Sequence, residues 1–454
     1  MQIIRDFGRG VTQQLARRAA SARAIRWALL TLSIAGIQVD PGGTAVARAA
    51  EPTREHANHE RGTQWVAAWQ GSATPGGTFY SEGCPSDIGL SDQTVRNLVR
   101  TSVAGSAVRV RISNAGGSEP LKVGAASLAI SSGDGGTLPG SLRPLRFAGK
   151  ASTIVAAGAE ALSDPVSLSV QALQTLALSV YLPESTGPAT QHYFAAQDNF
   201  LAEGNQTNSP GAAPFSRKIS CWMFVSGVEV RAPSRVLGSL VALGDSITDG
   251  YLSTTNANRR YPDLLAERFA ARRGPTLSVV NAGIIGNELL TVRPQLQFGY
   301  PVPARLARDV LTQAGAKAVI LLAGINDIGD RSAKAVDLIA VDQQIIQQVH
   351  AAGLRIYGAT LVPFAGSTET YGGDYGTAAG EQERLKLNQW IRSSGAFDGV
   401  VDFDRALRDP SDPSRLLTAY DADRLHPNDA GYQAMANTVD LDAILADVLR
   451  DLSK

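Results

Sequence analysis

The chain has 454 residues, 44% of them hydrophobic, with 42 basic and 42 acidic side chains and a formal net charge of zero. That length exceeds one ordinary domain and leads to an expectation of two, and the composition is that of a globular protein with apolar residues enough for a sizeable core. Residues 1–50 hold seven Arg against two Asp, so the remainder carries 35 basic and 40 acidic residues, a net of −5; this excludes the basic footprint of a protein that binds nucleic acid or an anionic membrane surface.

Residues 1–50 read as an export leader. An Arg-rich stretch ends at Arg26, residues 27–39 are mostly apolar, and Ala47-Arg48-Ala49 supplies a small-x-small cleavage pattern. The apolar run has the length of a signal core and is too short to span a bilayer. Arg17-Arg18 lies far from that run, a weak match to the twin-arginine route. The expected location is secreted or periplasmic. Residues 51–62 are polar and charged and read as a flexible lead-in.

Residues 63–235 have a β pattern. Val108-Arg109-Val110-Arg111-Ile112 alternates strictly, as a strand with one buried face does, and 121–130 and 176–182 also suit strands. Gly116-Gly117, the run 133–136 and Gly158 mark turns between them. Short strands with regular turns predict an all-β sandwich or jelly roll. Trp65 and Trp69 suit its core better than a sugar-stacking platform. Cys84 and Cys221 are the only cysteines. In an exported chain such a pair reads as a disulfide, the alternative being two buried thiols.

Residues 236–454 follow a different grammar. Apolar runs at 240–243, 277–280, 318–323, 354–361 and 400–403 alternate with helical patterns at 262–273, 303–313, 333–351, 378–393 and 428–449. This alternation predicts a parallel sheet covered by helices on both faces, with ligands bound at the carboxyl ends of the strands.

Those ends carry the chemistry. Gly244-Asp245-Ser246-Ile247-Thr248 follows the first run, Asn281-Ala282-Gly283-Ile284-Ile285-Gly286 the second, and Gly324-Ile325-Asn326-Asp327 the third; Asp423-Arg424-Leu425-His426-Pro427 opens the last helical pattern, with Pro427 expected at the helix's first position. A serine hydroxyl is a poor nucleophile without an adjacent base, and histidine is the fitting base near neutral pH. Of the five histidines, His56 and His59 lie in the lead-in and His192 in the β region. His350 sits late in a helical pattern, where it can cap carbonyls, and His426 has carboxylates close by, Asp423 and Asp421. An imidazole base loses its function when protonated, so activity should fall in acid. No Cys-x-x-Cys or His-x-x-x-His spacing occurs, and no metal or other cofactor is expected.

The four blocks, in this order, resemble the SGNH (GDSL-type) hydrolases over the C-terminal half; exported bacterial members with a β-rich N-terminal domain are similar to the first half more loosely. The resemblance implies a three-layer α/β/α, flavodoxin-like domain with a parallel five-stranded sheet. It implies Ser246 as nucleophile, His426 as base and Asp423, by the Asp-x-x-His spacing, as its orienting carboxylate. It also implies the backbone N–H groups of Ser246 and Gly286 and the side-chain amide of Asn326 as the oxyanion hole. Gly283 is a rival to Gly286, Asp245 and Asp327 are assigned to loop support, and Ile285 stands where relatives commonly have a smaller residue. The serine is not in a Gly-x-Ser-x-Gly elbow, which disfavours the α/β-hydrolase fold. The expected activity is hydrolysis, through an acyl-enzyme, of short-chain acyl esters or O-acetyl groups of polysaccharides. The alternatives are a lipid or lysophospholipid esterase, an acyltransferase with the same site, and a glycan-binding module with an inactive hydrolase half.

Overall fold

The computed structural model of the protein describes residues 63–77 and 83–453. The leader at 1–50 and the lead-in at 51–62 lie outside the described residues. The described residues cluster as one compact unit.

Besides two short two-stranded sheets among the described residues, the β region builds two large antiparallel sheets. One orders Thr63–Gln70, Val225–Pro233, Gly105–Ser113 and Val166–Val170, with Glu160–Leu162 on its flank. The other runs through Arg217–Ile219, Asn199–Glu203, Gln93–Arg100, Thr175–Leu182 and Ala125–Gly133. Side chains from both sheets, among them Val95, Val99, Val108, Val110, Leu128 and Leu178, form one core between them. The alternation at 108–112 has the expected cause. Val108, Val110 and Ile112 are fully buried, while Arg109 and Arg111 on the opposite face share Glu229 at 2.5 and 2.6 Å. The single strand expected over 121–130 is broken into Leu121–Val123 and Ala125–Gly133. At Gly124 a Cβ would lie 2.8 Å from the Tyr181 ring, so only glycine allows the chain to pass there. Trp69 is buried and meets Trp222 edge-on at 5.0 Å; Trp65 is half-buried, with the Arg109 guanidinium 4.1 Å above its ring.

Cys84 and Cys221 are joined in a disulfide with their Cα atoms 6.0 Å apart, across a sequence separation of 137 residues. Closing so long a loop stabilises by about 4–5 kcal/mol in the chain-entropy model. Reduction is expected to lower the melting temperature by about 5 °C, which calorimetry with and without reductant checks; an unchanged transition would show that the bond contributes nothing.

In chain order, the strands Val236–Gly244, Thr276–Gly283, Ala316–Leu322, Arg355–Ala359 and Gly399–Val401 form a five-stranded parallel sheet in the spatial order 2-1-3-4-5. That is the flavodoxin-like order, in which the winding reverses at the first strand, paired to both neighbours as far as Gly244. Leu240, Val241, Ala242 and Leu243 are all fully buried, as a strand covered on both faces requires. Helices Tyr261–Ala270 and Asp429–Thr438 pack together in one group, and Ile325–Arg331, Ala335–Ala351 and Ala378–Ser393 in another.

Three expectations need correction. The helix expected over 428–449 is two helices, Asp429–Thr438 and Leu441–Leu452, because Asp440 accepts from the backbone N–H groups of Asp442 and Ala443 and starts a new helix. Pro427 does not begin the helix; Asn428 caps it, accepting from Gly431 N. The helix expected over 303–313 spans Val302–Leu306 and then widens into a π turn over Ala307–Leu311.

The two cores meet along one strand. In Thr63–Gln70, Val66 and Ala68 belong to the sandwich core and Ala67 to the core around the parallel sheet, the two-residue period of a strand buried on both faces. The backbone of Ala67 is also tied down: its N–H donates to Ala314 O at 2.8 Å, and its carbonyl accepts from Ser239 Oγ at 3.2 Å and from Ser278 Oγ.

Candidate active site

Ser246 opens the short helix Ser246–Asp249 directly after the first parallel strand. Asp245 caps that helix, its side chain accepting from Ile247 N. The turn must be tight. A Cβ at Gly244 would lie 2.3 Å from both Leu322 O and Thr248 Oγ1. The N–H of Ser246 falls in the first helical turn, where backbone donors have no partner within the helix.

The hydroxyl of Ser246 is 2.9 Å from His426 Nε2, and His426 Nδ1 is 2.9 Å from Asp423 Oδ2. An ionised carboxylate only accepts, so Nδ1 carries the ring proton and Nε2 presents its lone pair to the serine. The competing Asp421 is occupied elsewhere, accepting from Arg424 N at 2.6 Å. The turn between acid and base depends on Arg424, at φ 71°, a left-handed conformation that costs a non-glycine residue about 1 kcal/mol. The Arg424 side chain bonds Gly366 O and Glu369, and the Asp423 carboxylate accepts from the backbone N–H groups of His426 and Leu425 at 2.7 and 3.1 Å.

Burial alone would raise the Asp423 pKa. The His426 ring, by hydrogen bond and by charge, the Tyr371 hydroxyl and the His426 backbone N–H outweigh it and hold the carboxyl at about 2. Tyr371 Oη donates to Asp423 Oδ2 at 2.5 Å and lies 3.4 Å from His426 Nδ1. On the other side of the imidazole, the Tyr251 ring stands edge-on at 4.8 Å.

Gly286 and Asn326 are brought beside each other: Asn326 Nδ2 donates to Asn287 O at 2.9 Å. One amide hydrogen of Asn326 is thereby engaged, and an amide carries a second. Its carbonyl oxygen accepts from Tyr375 Oη at 2.7 Å, which sets the amide orientation and polarises its N–H groups. Gly286 adopts φ 70°, and a Cβ there would lie 2.9 Å from the Phe298 ring, so glycine is required. Gly283 has another task. Its N–H donates to Asn281 Oδ1 at 2.8 Å, and a Cβ there would lie 2.2 Å from Asp249 N. Ile285, half-buried, donates its N–H to Asp249 Oδ2 at 2.9 Å.

Asp245 and Asp327 sit beneath the site. Asp327 accepts from Leu289 N and Leu290 N and so anchors the segment that follows Gly286. Burial pushes the Asp245 carboxyl up to about 7, helped by the charge of Asp327, and pushes Asp327 up to about 6.

Tyr371 and Tyr375 have no counterpart among the motif residues. Both come from the segment 363–377 between the fourth strand and the helix Ala378–Ser393, and Tyr375 fits because Gly329 leaves room: a Cβ there would lie 2.4 Å from the ring. Two tyrosines four apart among glycines carry no sequence signal of this role. The other histidines are accounted for differently. His350 bonds the Asp398 carboxylate at 2.8 Å rather than capping carbonyls, and His192 bonds Asp249 at 2.9 Å. Among the described residues no cluster of three or more His, Cys, Asp or Glu is placed to hold a metal ion, and no helix is long and apolar enough to cross a membrane.

A parallel α/β sheet with a hydroxyl, an imidazole and a carboxylate in hydrogen-bond series at its carboxyl edge has the layout of a serine hydrolase. Residues 242–434 match the model of the GDSL-like lipase/acylhydrolase family, whose members are esterases or lipases. No curated protein matches the chain. Solved structures similar to it include an aryl esterase from M. smegmatis, at 16% identity over 47% of this chain and 99% of that one, TM-score 0.36. A carbohydrate acetylesterase from Sinorhizobium meliloti is 13% identical over 46% and 99%, TM-score 0.36. A GDSL-like lipase from Bacteroides thetaiotaomicron is 18% identical over 47% and 88%, TM-score 0.34.

Proposed function

We propose that the protein is an exported serine ester hydrolase acting on short-chain acyl esters, with O-acetyl groups of polysaccharides as the natural substrate class. The observation that carries the reading is the 2.9 Å contact from Ser246 Oγ to His426 Nε2, with Asp423 on the far ring nitrogen. Ser246 attacks the ester carbonyl while His426 takes its proton. The N–H groups of Ser246 and Gly286 and the Asn326 amide receive the oxyanion. His426 returns the proton to the leaving alcohol, and water then repeats the sequence on the acyl-enzyme. Every step uses side chains and backbone of this chain.

Export is supported by the leader-like composition of residues 1–50 and by the Cys84–Cys221 bond, since disulfides persist in oxidising compartments. A short acyl group is supported by the Phe298 ring packed over Gly286. A second reading, a lipid esterase, draws on Leu252, Val292, Leu296 and Tyr300, each more than 40% exposed on segments next to the motif loops.

The test is a panel of p-nitrophenyl esters of graded acyl length together with acetylated polysaccharides, given to the purified protein. The highest kcat/KM is expected for acetyl esters, with acetate released from the glycans. A kcat/KM that climbs with chain length transfers the assignment to lipids, and no turnover of any ester ends the reading.

A further inference from the structure

The hydrolytic machinery described so far lies entirely within the α/β half, yet one of its loops is held from the β region. His192, on the short strand Gln191–His192, is buried and packs its ring on Trp222 at 5.3 Å. Its Nδ1 is 2.9 Å from Ser72 O and its Nε2 is 2.9 Å from Asp249 Oδ1. Asp249 ends the helix that Ser246 begins, and its other oxygen accepts from the N–H of Ile285, the residue before Gly286. A single carboxylate thus links a β-region imidazole, the nucleophile's helix and the loop that carries an oxyanion donor.

The hydrogen-bond pattern requires a proton between Nε2 and Asp249 Oδ1, and the Ile285 N–H donated to the other carboxylate oxygen favours its place on the ring. A backbone carbonyl can only accept, so Nδ1 carries a proton. A neutral imidazole would then turn the lone pair of Nε2 toward an ionised carboxylate, a repulsive contact in a site with no bulk water to screen it. The contact is attractive when Nε2 carries a proton as well. His192 and Asp249 then form a buried imidazolium–carboxylate pair, with side-chain exposures of 3% each.

From this geometry we infer that His192 is a positioning residue for the oxyanion hole: protonated, it holds Asp249, which fixes the Ile285–Gly286 backbone. The charges around the ring agree. Burial alone would lower the His192 pKa, but the charge and hydrogen bond of Asp249 and the Ser72 carbonyl outweigh both burial and the repulsion from Arg260, and the value is raised. Arg260 is the nearby cation; its guanidinium lies over Trp222 at 5.2 Å, bonds Ala195 O and faces Asp263 at 3.6 Å. Arg305 is held farther along, by Asp309, Asn287 and the carbonyls of Ala282 and Gly244. The imidazole and Asp249 line a cavity of about 30 Å³ of mixed character, with Gln70, Arg260 and Asp263 beside Trp69 and Trp222, space enough for a water-sized molecule.

A histidine whose folded pKa is raised contributes fully below its unfolded value near 6.5, and that contribution is lost as pH rises through the folded value. The clamp is therefore closed below the ordinary imidazole value and opens as pH rises through the raised one. Loss of alignment affects the transition state more than substrate binding, so the change should fall on kcat.

The test compares wild type with His192→Gln and Asp249→Ala between about pH 6 and 9.5; it reads kcat and KM on p-nitrophenyl acetate and the amide hydrogen exchange of Ile285. The kinetic arm rests on the ester-hydrolase reading; the exchange arm does not, so an inactive wild type would end that reading while Ile285 still decides the clamp. In wild type kcat should fall at the alkaline end while the protection of the Ile285 amide, relative to its pH-dependent intrinsic exchange rate, is lost. The glutamine variant keeps a neutral donor but cannot titrate. It should lose the alkaline limb, show a kcat about ten-fold lower at neutral pH with KM little changed, and expose Ile285 at every pH. Asp249→Ala should expose Ile285 further. Melting curves accompany both variants, and if Asp249→Ala does not fold the glutamine variant alone decides. Wild-type kcat, alkaline limb and Ile285 protection retained in a folded His192→Gln protein would overturn the inference, as would a loss confined to KM.

Discussion

Ser246→Ala is expected to lower kcat on p-nitrophenyl acetate by about four to six orders of magnitude, because the acyl-enzyme route disappears and only binding and the oxyanion donors remain. His426→Ala should cost about as much. Since Nε2 is 2.9 Å from the serine oxygen, the two side chains act as one unit, and the double variant should be scarcely slower than either single one. Rates measured above the spontaneous hydrolysis background, with folding checked by circular dichroism, decide this. Ser246→Ala turning over at the wild-type rate would remove the nucleophile from the mechanism. A double variant slower by the product of the single losses would mean that serine and histidine act independently, against the geometry.

Asn326→Ala should lower kcat by about 10²–10³-fold, the loss of one oxyanion donor, or about 3–4 kcal/mol of transition-state stabilisation. KM should change little, because the amide meets charge that exists only after attack. Tyr375→Phe separates the donor from its support. The Asn326 amide would remain, anchored by Asn287 O, but without the Tyr375 hydroxyl at 2.7 Å on its carbonyl oxygen. One hydrogen bond to a neighbouring group is worth about 1 kcal/mol, so a five- to ten-fold fall in kcat is expected. Wild-type kcat in Asn326→Ala would place the oxyanion elsewhere, and a Tyr375→Phe variant as slow as Asn326→Ala would make the tyrosine itself the donor.

Much of this site is legible in one dimension because a parallel sheet collects its strand ends on one edge. Ser246, Gly286 and Asn326 each leave an apolar run, so runs that pair side by side bring them together however far apart they are in sequence. The Asp423–His426 spacing is read locally because a three-residue turn spans the distance. The left-handed Arg424 inside that turn is not legible, since arginine carries no preference for such a conformation. The break between Asp429–Thr438 and Leu441–Leu452 was within reach: Asp440 is a good cap, but apolar spacing on both sides masked it.

Composition and pattern by themselves determined the two secondary-structure regimes and the parallel sheet, because hydrophobic period is a property of consecutive residues; the five residues of the candidate site were named by the resemblance of the strand-end motifs to a known family. Tertiary packing alone decided that one strand serves both cores, that Tyr371 and Tyr375 brace Asp423 and Asn326, and that His192 reaches Asp249 from the β region. Each of these joins groups between 49 and 57 positions apart or cores built from different segments. Such pairings follow from how whole layers stack, and no local propensity records them.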